Sequence, residues 1–158
     1  MVNKLIRLLA VAVFMFFSAD AFGQCEALIK DFYIAYMQNA EKNDGSNVEL
    51  IKKHMSPELI AKVAEFTSKY DADAMIHAQD VSKYGIESLV VEPLGSEDGY
   101  MVKYKWSPES EYTWIVVQAV SIDGKLQFKD IFPVGTEAEG KSYIKRTSYI
   151  HNTLPDPA

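Results

Sequence analysis

The chain has 158 residues, 22 acidic against 16 basic side chains for a formal charge of −6, and one cysteine. That length makes one ordinary domain with enough chain to bury a core. The charge has the wrong sign for a nucleic-acid binder, whose affinity comes from neutralising phosphates, and a lone cysteine excludes an internal disulfide.

Lys4 and Arg7 precede an unbroken apolar run, Leu8 to Phe17, and a small-residue exit, Ser18 to Gly23. This is the pattern of a secretory signal peptide. The apolar run is too short for a bilayer-spanning helix, which needs about 18 to 20 residues, so no stable membrane insertion is expected. Cleavage is expected after Ala21-Phe22-Gly23, which makes residues 1–23 the leader and Gln24 the new terminus; a cut after Ala19-Asp20-Ala21 is the alternative. Lipidation of Cys25 fits less well, because a lipoprotein signal wants a small residue where Gln24 stands and an aliphatic one where Phe22 stands. An A-x-G site followed by Gln resembles exported proteins of the Bacteroidetes, which points to the periplasm or the outside of the cell. The processed chain carries 14 basic and 21 acidic residues, a formal charge of −7. Cys25, close to a terminus expected to fray, reads as incidental, and a disulfide-linked homodimer through it is a further option.

Beyond the leader the period of the apolar residues changes once. From Ala27 to Met37, Leu28, Ile29, Phe32, Ile34, Ala35 and Tyr36 recur largely at three- and four-residue steps, which predicts an amphipathic helix. Residues 43–47 break it, and a short helix follows over Val48 to Met55. Ser56-Pro57-Glu58 predicts the start of a third helix: Ser56 caps, Pro57 suits the first turn and Glu58 complements the helix dipole. Leu59, Ile60, Val63, Phe66 and Tyr70 form its stripe, and it should end near Tyr70.

After Gly85 the pattern alternates instead. Glu87 to Pro93, Tyr100 to Trp106, Tyr112 to Ile122 and Leu126 to Phe132 read as four strands, the last two joined by an Asp123-Gly124 hairpin turn. Helices followed by a strand meander predict an α+β domain over residues 24–135, with the helices packed on a curved four-stranded antiparallel sheet. Residues 136–158 form a C-terminal extension whose last residues should be disordered. Within it Lys141, Lys145 and Arg146 make a basic cluster, read as a solvated face or as a contact patch for an acidic partner.

The densest run of chemistry-bearing residues is "KYDADAMIHAQD", residues 69–80. If residues 73–80 are helical, Asp73, His77 and Asp80 share one face, with Asp71 outside it. Carboxylate and imidazole together can ligate a metal or run acid/base chemistry. The spacing matches neither His-Glu-x-x-His nor a calcium loop, so neither metal nor cofactor is expected. The competing reading is a junction, with Asp71 ending a helix, Asp73 starting a turn and Gln79-Asp80 bonding backbone on the way into the sheet. His54 and His151 read as surface residues, and Cys25 has no histidine arranged for nucleophilic catalysis.

"EALIKDFYIAYMQ", "LIKKHMSPELIAKV", "YDAD", "AQD" and the closing "KLQFKDIFPVG" together resemble a family of exported bacterial proteins with a nuclear-transport-factor-2-like, or cystatin-like, fold. Phe32-Tyr33, "SPEL", Tyr70-Asp71 with Asp73, Gln79-Asp80, and Phe128, Asp130 and Ile131 carry the resemblance, which spans about residues 26–135. It implies a cone between sheet and helices. Enzymes of that fold place an Asp, His or Tyr in the cone mouth, where Asp73, His77 and Asp80 would act as the catalytic set. Asp71, with Tyr104 or Trp114 as a wall of the cone, would line a binding site there. Trp106 joins them as a binding candidate from the aromatic strand face of Tyr100, Tyr104 and Trp106, which reads first as core and second as a ligand platform. The fold hosts unrelated activities and does not by itself choose one.

Two classes of function follow. The first is a non-enzymatic exported binding protein that holds a protein or small-molecule partner on the concave sheet or at the cone mouth; a periplasmic immunity or inhibitor protein docking on a basic effector is its concrete form. The second is a small cofactor-independent enzyme, of isomerase, dehydratase or hydrolase type, with its Asp/His site in the cone.

Overall fold

The computed structural model describes residues 23–42, 44–95 and 98–136. Helix α1 covers residues 23–40. After it come α2 (Ser46–His54), α3 (Pro57–Tyr70) and the short α4 (Lys83–Glu87), then strands β1 (Val90–Pro93), β2 (Gly99–Lys105), β3 (Tyr112–Ile122) and β4 (Lys125–Thr136). The strands pair antiparallel in the order β1-β2-β3-β4, an open meander with β1 and β4 at its edges. The fold is the expected α+β arrangement, helices first and packed on a four-stranded sheet.

The third helix starts where the sequence places it: Ser56 caps α3 by accepting from the Leu59 amide at 3.3 Å, with Pro57 in the first turn. Its stripe is shallower than the periodicity implies. Leu59 is buried, Ile60, Val63 and Phe66 are half-buried, and Tyr70 is 56 % exposed.

The first strand begins at Val90, later than the expected Glu87. Ser82 caps the Gly85 amide at 3.0 Å and starts α4. Gly85 then packs against Tyr104, where a Cβ would sit 3.3 Å from the ring. The last strand runs through Pro133 to Thr136 rather than stopping at Phe132. Proline lacks a donor, and an edge strand tolerates that. Two register shifts, between Trp114 and Ile115 and between Gln118 and Ala119, leave Val134 and Lys129 of β4 without a cross-strand partner. Such bulges bend a strand and increase its twist. At the β3–β4 turn Asp123 and Gly124 both have positive φ, 51° and 71°, the geometry that makes Asp-Gly a hairpin signal.

The core lies between α1 and one face of the sheet. Ile29, Phe32, Tyr33, Tyr36 and Met37 of α1 meet Tyr100, Val102, Tyr104, Ile115, Val117, Phe128 and Ile131. Phe32 and Phe128 cross edge to face at 4.8 Å, a contact worth about 0.5–1.5 kcal/mol beyond its buried area.

Cys25 does not sit on a frayed end. It is 3 % exposed within α1, and its thiol lies 3.7 Å from the Ala119 carbonyl oxygen. Burial, more than any neighbour, pushes the thiol up from its ordinary range. The folded protein is therefore expected to resist thiol reagents at pH 8 and to give no Cys25-linked dimer on a non-reducing gel. Urea should release full labelling, which a timed labelling assay measures.

Candidate functional site

The segment from Asp71 to Asp80 is a folded-back loop, not a helix. Asp71 ends α3 in the left-handed conformation, φ 51°, with its amide bonded to the Thr67 carbonyl. The Asp73 amide then donates to the Ala78 carbonyl at 3.0 Å, closing a loop over residues 73–78 in which His77 also has positive φ, 48°. The left-handed His77 and the Asp73–Ala78 closure rule out the helical face that would have aligned Asp73, His77 and Asp80.

Inside this loop the apolar residues point into the protein. Ala74, Met75 and Ile76 are 1 %, 0 % and 2 % exposed. The loop is a plug at the helix–sheet interface, held by three polar ties. Asp73 accepts from the Met75 amide at 2.7 Å through Oδ1 and from the Tyr36 hydroxyl at 2.6 Å through Oδ2. The Tyr104 hydroxyl donates to the Ile76 carbonyl at 2.6 Å.

The candidate residues thus go to different places. Asp73 is turned inward, and both its oxygens serve the loop and α1. His77 is half-buried, edge-on to Phe66 at 5.8 Å. Asp80 is exposed, its carboxylate accepting from the Val81 amide at 2.7 Å. Asp71 is exposed too, its carbonyl and carboxylate accepting from the Gln79 side-chain Nε2 at 3.1 and 3.3 Å. Tyr104 is core. Trp114 lies on the opposite face of the sheet, since it pairs with Lys103 rather than with a core position. Trp106 is 48 % exposed past the end of β2, with its carbonyl accepting from the Ser82 hydroxyl. The four residues suggested for binding do not share one surface. Among the described residues no group of three or more His, Cys, Asp or Glu is placed to hold a metal ion.

The buried phenols around Asp73 have a pH signature. Burial first, then the charge of Asp73, holds Tyr33 and Tyr36 well above the ordinary tyrosine value. Burial likewise pushes Tyr104 up to about 12. A tyrosine whose folded pKa is raised favours the fold while both states keep the proton. The unfolded chain ionises first, near pH 10, so stability is full below that and falls as pH rises toward the folded pKa. Tyr104 alone should account for a loss of about 2–3 kcal/mol between pH 10 and 12. Urea unfolding across that range checks it, and a flat profile to pH 12 would contradict the buried-phenol assignment.

A different concavity is open. Between α1, α2 and the β3–β4 turn lies a groove of about 400 Å³, within the size range of small-molecule and side-chain pockets. Leu28, Phe32 and Leu50 form apolar walls, and Asp31, Lys53 and Lys125 bring charge to it. His54, expected at the surface, is half-buried here: its Nδ1 lies 2.9 Å from the Leu126 carbonyl and its ring is edge-on to Phe32 at 5.3 Å, tying α2 to the hairpin. Sequence reading missed this groove because its walls come from three segments far apart in the chain. The one signal available was Asp31, Lys53 and Lys125 flanking apolar positions.

Helices packed on an open antiparallel sheet, with a loop plugging the interface, are consistent with a cone-like arrangement of the nuclear-transport-factor-2 type. The solved structure of a protein of unknown function from Bacteroides thetaiotaomicron VPI-5482 is similar, with 28 % identity and a TM-score of 0.65, over 78 % of this chain and 99 % of that one. The two are distant homologues. No family model and no curated protein matches the chain. No described helix is long and apolar enough to cross a membrane.

Proposed function

We propose that this chain is an exported, non-enzymatic binding protein of the nuclear-transport-factor-2-like group, and that it seats its partner in the groove between α1, α2 and the β3–β4 turn. One observation carries the reading: the groove is open, apolar-walled and charged at its margin, whereas Asp73, the carboxylate nearest to an acid/base role, has both oxygens engaged by the Tyr36 hydroxyl and the Met75 amide. A general base has to be able to reach a substrate proton. The helix-facing surface of the sheet packs against α1 and against Met75 and Ile76 of the loop.

Export rests on the leader pattern of residues 1–23, most of which lies outside the described residues. The concrete form of the proposal is an inhibitor or immunity protein for a basic effector. The −7 charge of the processed chain would speed encounter with such a partner, and an exposed apolar side chain of the effector would enter the groove.

Affinity capture from periplasmic extract with the processed chain as bait, read by mass spectrometry, tests this. Ala35 lines the groove, so Ala35→Trp fills it from α1. Wild type should retain one stoichiometric basic protein, and the folded variant should lose at least about tenfold in affinity, equivalent to 1.4 kcal/mol. Equal capture by both, or capture of no protein alongside a co-purifying small molecule, would overturn the inhibitor form.

A further inference from the structure

The helices explain the burial of only one face of the sheet. On the other, Met101, Trp114 and Val116 are 6 %, 5 % and 4 % exposed, yet none of them belongs to the core cluster built on α1. They sit side by side in the register: Met101 opposite Val116 and Lys103 opposite Trp114, with Phe132 and Gly135 beyond them on β4. An antiparallel sheet with one solvated face carries polar residues there. This face instead presents a tryptophan, a methionine, a valine and a phenylalanine in adjoining positions. Lys103, ion-paired with Glu92 at 2.9 Å, stands 5.9 Å from the Trp114 ring centroid and shields one side of it. It offers no acceptor to the indole, and Trp114 Nε1 is buried without a hydrogen-bond partner among the described residues. A buried indole N–H ordinarily finds one.

We propose that the chain's own C-terminal segment, residues 137–158, lies across this face. It lays Tyr143-Ile144 and Tyr149-Ile150 over Met101, Trp114 and Val116 and supplies the acceptor for Trp114 Nε1. The segment is outside the described residues and follows directly on the end of β4. β4 ends with Gly135 opposite Trp114 and Thr136 opposite Thr113, so the last described residue of the strand lies beside the patch. Twenty-two residues follow Thr136. They would reach about 70 Å extended and about 33 Å as a helix, while crossing four strands takes only about 15 Å. The segment carries two tyrosine–isoleucine pairs six positions apart, separated by Lys145 and Arg146, apolar anchors alternating with solvent-seeking charge. The third layer so formed leaves the α1–α2 groove open, and makes the basic cluster of Lys141, Lys145 and Arg146 the outer surface of the cover.

Trp106→Phe leaves Trp114 as the sole tryptophan, and the test uses the full chain in that background. With the segment intact, acrylamide should quench Trp114 weakly, and amides of residues 143–150 should be protected from hydrogen exchange. Adding Ile144→Asp and Ile150→Asp should raise the quenching constant several-fold and red-shift the emission while far-UV circular dichroism stays unchanged. Quenching that stays weak in the double variant would overturn the proposal. So would free exchange across 143–150 in the unaltered chain. Shielding that disappears on dilution would overturn it too, because it would make a second copy of the chain the cover. Should the double variant unfold, hydrogen exchange on the unaltered chain decides.

Discussion

Asp73→Ala is expected to lower the unfolding free energy by about 2–4 kcal/mol, because it removes the charged acceptor of two hydrogen bonds and leaves the Tyr36 hydroxyl buried and unsatisfied. Tyr36 is 4 % exposed, so water cannot replace the lost acceptor without opening α1 from the loop. Asp73→Asn keeps an acceptor for the Met75 amide and should cost about 1 kcal/mol. The pair should be coupled: once Asp73 is gone, Tyr36→Phe removes the orphaned hydroxyl, so the double variant should be less destabilised than the two single losses added together. Urea unfolding of the four proteins completes the cycle. The outcome separates function from structure, since carboxylates kept for catalysis tend to lower stability and their replacement is often neutral or stabilising. A neutral or stabilising Asp73→Ala would return Asp73 to the list of catalytic candidates.

Met75→Ala should be at least as damaging, at about 2–5 kcal/mol, the range for emptying a closed core site. Met75 is 0 % exposed and lies in one cluster with Tyr33, Met37 and Tyr104. Its amide is tied to Asp73 and the next carbonyl to Tyr104, so the backbone cannot settle into the space the side chain leaves. Gln79→Ala on the same loop is the control. Gln79 is exposed and, among the described residues, its side chain bonds only to Asp71, and its loss should stay within about 0.5 kcal/mol, as for an ordinary surface substitution. Similar losses at both positions would mean that the loop is not anchored through its apolar residues.

The contrast between these positions shows where the sequence was readable. The cap at Ser56, the Asp123-Gly124 turn and the two-residue alternation of β2 and β3 are local signals, decided within a few residues, and each appears as expected. Pro133 reads as a strand end, but β4 is an edge strand with bulges on either side of that proline, and there it needs no donor. The start of β1 was misplaced because the α4 turn depends on Gly85 fitting beneath Tyr104, a contact across nineteen positions. Asp73 was visible as a chemical group but its role was not. Its partner Tyr36 is 37 residues away and looked like one more apolar member of the first helix. The junction reading of Asp71 and Asp73 matches the geometry found, whereas the shared helical face of Asp73, His77 and Asp80 fails on the positive φ of His77 and on the Asp73–Ala78 bridge, which no spacing rule reveals.

Residues 71–80 form a structural plug, and the groove proposed to bind lies apart from it. Hydrogen exchange at the Asp73 and Met75 amides tests it most directly, because a plug opens only with the core whereas an active-site loop opens locally and at low cost. Both amides are bonded, Asp73 to the Ala78 carbonyl and Met75 to the Asp73 carboxylate. The plug predicts protection approaching that of the β3 amides at Ile115 and Val117. Exchange at the rate of a freely opening surface loop, with β3 still protected, would contradict it and would make this segment a mobile acid/base site.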